Sequence, residues 1–395
     1  MTVHPAFPVD GVPVPSGAAP LCVRVVDPLA LSPELAAAWD ALAAEASEPN
    51  PFVERWCLQS ALHLLDPDRR ARLVMVMGGS AGPLIGVMPL ARAERYGRLP
   101  IRHVTGWAHP NHFLGTPLVR AGFEQLFWSI LLGWCDAARW AQTMLHAPRL
   151  TEDGPLHRAL VAAADERGGA ARTVHREERA LLESNLSAEA YWEAAVRTKK
   201  RKELRRQANR LAEEGAVAFR RWSADEAPGP WIDAFLALEA RGWKGRAGSA
   251  LACDGGTEAW FRAIVGAAAE AGKLDMRALD LDGRPLAMLV NFLCPPGGFS
   301  FKTAFDEDYA RFSPGVLLQQ ANLDLLAEPR IAWVDSCAAP GHPMIDSVWR
   351  ERRRLVWVNA PLAGRADRWR FAALTRAEDL WRRWKGAAAD KGDQP

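Results

Sequence analysis

Five ionisable residues beyond the middle of the chain have the types and settings for acid–base and electrostatic work: Glu239, Lys302, Asp306, Asp335 and His342. His342 stands before Pro343 at a helix start in CAAPGHPMIDSVW, where Asp346, four residues on, can orient the imidazole or pair with Arg350 instead. Asp335 ends the core strand IAWVDS, at the kind of sheet edge where α/β proteins bind ligands, or serves as a turn carboxylate. Lys302 and Asp306 fall on one face of the strand FSFKTAF and its exit, as an ion pair or as two separate functional groups. Glu239, in ALEARGWKGR, sits late in a helix before a glycine turn, which reads as an exposed helix carboxylate that can still reach a substrate. Cys337 near His342 has the makings of a nucleophilic pair, but nothing in the sequence activates the thiol. His109 and His112 in GWAHPNHFLG lack further ligands for a metal and fit a wall between domains; no metal site is expected.

A second cluster is made of backbone. In YARFSPGVLLQQ a strand-like run breaks at Ser-Pro-Gly and an apolar helix begins at once. A helix start exposes unpaired N–H groups and the positive end of its dipole, so Arg311, Phe312, Ser313, Pro314, Gly315 and Val316 can cradle a phosphate or pyrophosphate. Ser, Pro and Gly are also ordinary helix-start residues, and by themselves they need no ligand.

Positioning these groups takes an ordered set of strands and helices. MRALDL and PLAMLVNFL form a hairpin through Asp282-Gly283, and FSFKTAF follows as a third strand with Phe299, Phe301 and Phe305 on one face. A helix over about residues 314–326, the strand IAWVDS, a short helix over 344–350, the strand LVWVN and a closing helix over 367–384 complete the order β-β-β-α-β-α-β. The first half repeats it: a hairpin of RLVMVMG and PLIGVMPLA, a helix over 123–140, TMLHA, a helix over 156–166 and AARTVH. The fold class is therefore α/β (α+β), a duplicated domain, each copy a mixed, largely antiparallel sheet flanked by helices. The expected division is a disordered tail over 1–20, an N-terminal domain over 21–180, a C-terminal domain over 181–385 and a second tail over 386–395. Further helices are expected at 231–243 and 258–271.

The 395 residues suffice for two such cores, and 49% hydrophobic with 24% charged residues is a globular composition. The six cysteines are scattered without a CxxC pair, and no run reaches the length of a membrane span, so a cytoplasmic setting is expected. Charge is uneven. Residues 197–210, RTKKRKELRRQANR, carry a local charge of +7 and leave −5 for the rest. They belong to a long helix over 188–214 with Ser187 as its N-cap, whose apolar stripe is thin. Lys199, Lys200, Arg201, Lys202, Arg205 and Arg206 suit phosphates or an anionic membrane surface. Nucleic acid fits less well, because the run lacks aromatic residues for base stacking.

The run FSFKTAFDEDYARFSPGVLLQQANLDLL resembles the GNAT acyltransferase superfamily, in the branch of FemAB-like and cellulose-biosynthesis-type double-domain transferases. RKELRRQANRLAEEG, FLALEARGWKGRAGSAL, LDGRPLAMLVNF and, in the first half, VMVMGGSAGPLIGVMPLA extend the resemblance over about residues 30–358. It implies tandem GNAT-like domains and an acyl-CoA held in a wedge between two central strands. The pyrophosphate would lie on the loop from Arg311 to Val316, which keeps one glycine of the usual Q/R-x-x-G-x-G/A pattern, Gly315. The corresponding part of the first half, GTPLVRAGFEQLF, has no such cradle, so one donor site is expected, facing an acceptor cleft between domains. The implied reaction is N-acylation of a primary amine of a cell-envelope molecule, a sphingoid base or other lipid amine as in ceramide formation, or an exopolysaccharide amino sugar. Lys302 would then serve the donor carbonyl or a phosphate, and Asp306 the acceptor amine. Two other readings stay open: a FemAB-like transferase using aminoacyl-tRNA, and a non-catalytic scaffold in polysaccharide export. With the basic helix, the first reading places the enzyme in the cytoplasm, peripheral at the inner membrane.

Overall fold

The Asp282-Gly283 dipeptide makes the turn its residue types require: both residues have positive φ, and Leu281 pairs with Arg284 across a two-residue loop. This hairpin lies in a computed structural model that describes residues 2–5, 21–79, 82–138 and 140–390. The strands of the first half are β1 (Thr2–Pro5), β2 (Cys22–Val26), β3 (Ala71–Met77), β4 (Leu84–Ala93), β5 (His103–Gly106), β6 (Leu118–Val119), β7 (Met144–Thr151) and β8 (Arg172–Leu182). Those of the second are β9 (Val217–Arg221), β10 (Leu274–Leu281), β11 (Arg284–Cys294), β12 (Gly297–Phe305), β13 (Trp333–Asp335) and β14 (Glu351–Pro361). The first-half helices are α1 (Pro33–Glu45), α2 (Arg55–Leu64), α3 (Glu124–Ala137) and α4 (Pro155–Glu166). They are followed by α5 (Ala188–Ala195), α6 (Thr198–Glu214), α7 (Gly229–Arg241), α8 (Trp243–Arg246), α9 (Gly255–Glu270), α10 (Pro314–Ala321) and α11 (Arg365–Asp390).

The described strands form one mixed sheet in the order β1-β2-β3-β4-β5-β7-β14-β8-β13-β12-β11-β10-β9, with β6 attached to β4. Most neighbours are antiparallel; β5 with β7 and β12 with β13 are the parallel pairs. Each half therefore has one parallel seam, bridged by a helix, as the duplicated order requires. The last strand is exchanged: β14 inserts between β7 and β8, so it pairs only with first-half strands, and β8 crosses the 180/181 boundary read from the sequence.

Four helix layers cover the two faces. In the first half α3 and α4 bury Trp128, Leu131, Leu156 and Leu160 on one face, while α1 and α2 bury Trp39, Leu42 and Leu58 on the other. In the second half α6 and α10 bury Leu204, Leu211 and Leu317 on one face, and α7 and α9 bury Phe235, Trp260 and Phe261 on the other. That last core also takes in Phe52, Cys57, Ala61 and Leu114, so first-half side chains form part of the second-half core. Apolar burial of this kind contributes about 25 cal/mol per Å² and is what holds the halves to one arrangement.

Several expectations change in three dimensions. The long helix over 188–214 is two helices broken at the extended residues Val196 and Arg197, because the side chain of Val196 turns into the core. Ser187 does cap α5, accepting from the N–H of Ala190 at 3.2 Å. The short helix over 344–350 is a single 3-10 turn, Ile345–Ser347. Thr2 to Pro5 pair with β2 rather than lying in a tail, and residues 6–20 fall outside the described residues. Residues 386–390 continue α11, and 391–395 lie outside the described set.

Candidate functional site

The parallel seam of the second half is short. Gly297, Gly298 and Phe299 pair with Trp333, Val334 and Asp335, after which β13 ends and β12 runs on through Phe305 with none of the described strands beside it on that edge. A strand edge in the middle of a sheet leaves ladder N–H and C=O groups in want of partners, which suits it to an extended ligand backbone. The register of β12 against β11 shifts at the same point, between Val290 and Asn291. Ser300 pairs with Asn291 and Lys302 with Val290, so Phe301 is the extra residue of a β-bulge.

The bulge decides which way the side chains face. Phe299 and Phe301 pack in the core under α7 and α9, whereas Phe305, expected on their face, packs on the α10 side. Lys302 shares the register of Val290 and looks into the wall between the halves. Its residue keeps some surface, but its ammonium lies deep, 5.7 Å from the Phe301 ring centroid. Burial pulls its pKa down to about 8; the Lys244 ammonium pulls the same way, and Glu239 opposes both.

Glu239 corrects a second expectation: it is 3% exposed, not an exposed helix carboxylate. Its Oε1 lies 2.8 Å from Lys244 Nζ, and its Oε2 accepts from the N–H of Leu251 at 2.8 Å. The turn that brings Lys244 inward is fastened from outside, since Glu307 accepts from the N–H of Trp243 and pairs with Arg246. On the first-half side the loop GWAHPNHFLG forms the opposing wall. Its His109 ring packs 4.7 Å from Trp260, and Phe113 packs 5.8 Å from Phe301. Burial keeps His109 well below its ordinary pKa, with His112 and Lys302 adding to the effect; burial beside Arg149 lowers His112 to about 3. Both rings are therefore neutral, and Lys302 is the group of this wall poised near neutral pH.

Asp335 and Asp306 are committed elsewhere. Asp335 is fully buried, with Arg179 Nε and Nη2 each at 2.7 Å and Arg353 Nη1 at 2.9 Å. Burial works to raise its pKa, but the two guanidinium groups prevail and hold it below the carboxylate range. It also accepts from the N–H of Cys337 at 2.9 Å, so it is a structural knot rather than a free base. Asp306 does not pair with Lys302. It caps the 3-10 turn Glu307–Phe312 and lies 3.3 Å from Arg284, because the bulge has put Lys302 on the other face. His342 is half-buried with an unpartnered Nδ1, while Asp346 lies 3.7 Å from Arg352 rather than orienting the imidazole or pairing with Arg350. Cys337 is buried and its thiol pushed upward by that burial, which removes the nucleophile reading.

The anion loop keeps its shape but is covered. Ser313 is left-handed at φ 53° and makes no side-chain cap, so the start of α10 is not capped by a side chain. Pro314, Gly315 and Val316 are all buried; a Cβ on Gly315 would stand 2.8 Å from Met344 Sδ and 3.5 Å from the Phe305 ring. Arg311 pairs with Glu214 of α6 at 3.0 Å, and Phe312 is in the core. Helix α10 itself is held by a polar network: Asn291 donates to Asn322 and Asp275, and Gln319 donates to Thr303. Among the described residues no His, Cys, Asp or Glu cluster could hold a metal ion. The group missed by sequence reasoning is Lys244; its signal was the glycine break of GWKGR, five residues past a helical Glu239.

Residues 198–341 match the family model for the acetyltransferase (GNAT) domain. That stretch runs from α6 to the turn after β13 and contains the bulge, Lys302 and the α10 loop. The solved structure of FemX aligns with a TM-score of 0.56 at 10% identity, covering 86% of this chain and 97% of that one. A conserved protein of unknown function from Bacteroides thetaiotaomicron VPI-5482 aligns with a TM-score of 0.53 at 11% identity, covering 86% and 99%. No curated protein sequence matches the chain. Identities this low speak for the fold alone. The mixed α/β fold is thus shared with FemX along most of both chains, and the domain match supports the GNAT superfamily for residues 198–341.

Proposed function

We propose that the protein is an acyl-CoA-dependent N-acyltransferase whose acceptor is the primary amine of a cell-envelope molecule, a lipid amine or an exopolysaccharide amino sugar. The observation that carries this reading is the parallel seam that stops after three residue pairs, with a bulge aiming a buried lysine into the wall beside it. In this reading the pantetheine arm of the donor adds to the free edge of β12 after Phe299, and its pyrophosphate meets the start of α10 once the thioether of Met344 moves aside. The acceptor amine attacks the thioester carbon as a neutral nucleophile, a C–N bond forms, and the C–S bond breaks. The amine proton leaves with the thiolate as free thiol. The Lys302 ammonium faces the developing oxyanion, where a charge in a water-poor wall is worth most. Glu239 holds Lys244 in place and tempers the repulsion between the two lysines.

Thermal unfolding in the presence of acetyl-CoA and of a long-chain acyl-CoA tests the donor. Stabilisation by either that disappears in Gly315→Val supports the reading. No stabilisation by any CoA thioester sinks it, and stabilisation by aminoacyl-tRNA alone would transfer the protein to the FemAB-like donor class. Mass spectrometry of envelope lipids and polysaccharides from a deletion strain then identifies the acceptor as the component that loses one N-acyl group.

A further inference from the structure

Helices α5 and α6 meet at an angle across Val196 and Arg197, and together with α10 they enclose a cavity of about 580 Å³. It lies on the α10 face of the sheet, opposite the face that carries Lys302. Its lining is mixed: Trp192, Leu204, Leu317 and Leu323 supply an apolar part, and Arg201, exposed Lys202 and exposed Arg205 a cationic one. Glu189 and Glu193 of α5 line the other side, so the charge of the mouth is lopsided toward α6.

Most cations of α6 stand without partners. Arg201 donates to the carbonyl of Glu193 and to Thr198 Oγ1. Among the described residues, Lys199, Lys202, Arg205, Arg206 and Arg210 make no hydrogen bond or ion pair, and all five are exposed. At 3.6 residues per turn these five fall within an arc of roughly 140°. Leu204 and Leu211 anchor the opposite side of the helix, so the arc looks outward and its Arg205 and Lys202 end opens into the cavity.

From this we infer that the cavity binds an anionic phospholipid of a bilayer surface. The phosphodiester sits at Lys202 and Arg205, a hydrocarbon chain lies on Leu204, Leu317 and Leu323, and Lys199, Arg206 and Arg210 meet neighbouring headgroups. Two features select a lipid over a small phosphate compound. The apolar part of the lining, Trp192, Leu204, Leu317 and Leu323, has no counterpart on a free phosphate, and five unpaired cations exceed what one phosphate can neutralise. Nucleic acid is disfavoured because the outward arc carries no aromatic side chain for stacking. The site stands independently of the acyl-transfer reading, since it uses none of the residues of the Lys302 wall.

Vesicle sedimentation with the full chain is the test. Vesicles containing phosphatidylglycerol should bind and pure phosphatidylcholine vesicles should not, and raised salt should weaken the binding. Lys202→Gln with Arg205→Gln should lower the affinity about 30-fold, at the usual cost per basic residue near a charged surface. Both sites are exposed, and an unchanged unfolding midpoint shows that the fold is kept. Ala208→Trp, which fills the cavity without altering charge, should abolish binding of monomeric short-chain phosphatidylglycerol. Glycerol phosphate should bind far more weakly than that lipid to the unaltered protein. The inference is overturned if phosphatidylglycerol vesicles do not sediment the protein, or if the double variant binds them as well as the parent. It is equally overturned if glycerol phosphate binds as tightly as the short-chain lipid, or if the basic arc retains single-stranded RNA but no vesicle.

Discussion

The two parallel seams of the sheet are built from the same order of elements and end differently. In the first half β5 pairs with β7 over Val104 and Thr105, and the chain then folds back to close the gap. The N–H of Gly115 donates to the carbonyl of Arg149, and the Arg149 guanidinium donates to the carbonyl of His112, so β7 beyond the seam is covered by the 107–116 loop. The bridging helix α3 begins with Glu124, whose carboxylate accepts from the N–H of Gly122. In the second half β13 stops at Asp335, β12 continues with β11 on one edge only, and α10 begins at a left-handed Ser313 with no acid in its first turn. A self-satisfied seam leaves no backbone groups to pair, whereas an unfinished one does. The loop that closes the first seam is also the wall facing Lys302, so the closed copy serves as scaffold for the open one.

The largest effect should come from the knot that ties both seams together. Asp335→Ala leaves Arg179 and Arg353 buried and unpaired, at about 3–5 kcal/mol, readable as a lowered midpoint in urea unfolding. Arg179 also donates to the carbonyl of Phe113, so the 107–116 loop should gain amide exchange in the same variant. Next comes Lys302→Met, expected to lower CoA thiol release in the presence of amine by about 10²–10³-fold while leaving stability equal or higher, because a desolvated ammonium is removed. In the unaltered protein, transferase activity that uses the Lys302 ammonium as proposed should fall as pH rises through about 8.

Matched insertions compare the seams directly. Gly315→Val and Gly106→Val both press on neighbours, Met344 in one case and Pro148 with Met88 in the other, and each should cost roughly 1–3 kcal/mol. Only the first should remove stabilisation by acyl-CoA; equal loss in both would erase the distinction between open and closed seams. The smallest effects are in the pH dependence of stability. Lys302 has its folded pKa lowered to about 8 from 10.5, so between those values the unfolded chain binds the extra proton and stability rises with pH. His103 and His146 at the first seam are lowered from 6.5 by burial, so that seam loses stability as pH falls below 6.5. Unfolding midpoints of Lys302→Met followed from pH 4 to 11 should lose the alkaline rise and keep the acid fall.

Local sequence carried the elements well wherever one residue type settles a backbone choice. Asp282-Gly283 made its turn, Ser187 its cap, and the alternating run of β10 its strand. The site was legible only in part. Lys302 and Glu239 were singled out as residue types, but of the two readings open for Lys302 the ion pair with Asp306 is not formed, and the exposure read for Glu239 and the single face read for Phe299, Phe301 and Phe305 both failed. One inserted residue reverses every side chain after it, and strand periodicity contains no mark of where a bulge falls.

What the sequence by itself determined, then, is the inventory: two rounds of hairpin, helix and strand, a proline-glycine helix start, and a helix with too many cations for a core. Those follow from φ/ψ preferences and the 2.0 and 3.6 periods, which act within a few residues. The tertiary structure alone decided that β14 crosses into the first half, that Lys244 joins Glu239 beside Lys302, and that Asp335 is a knot and not a base. Each of these depends on partners remote along the chain, such as Arg179 and Asp335 at 156 residues apart, and on the low dielectric their burial creates. No local pattern encodes that burial, because it exists only once both halves have closed over the same wall.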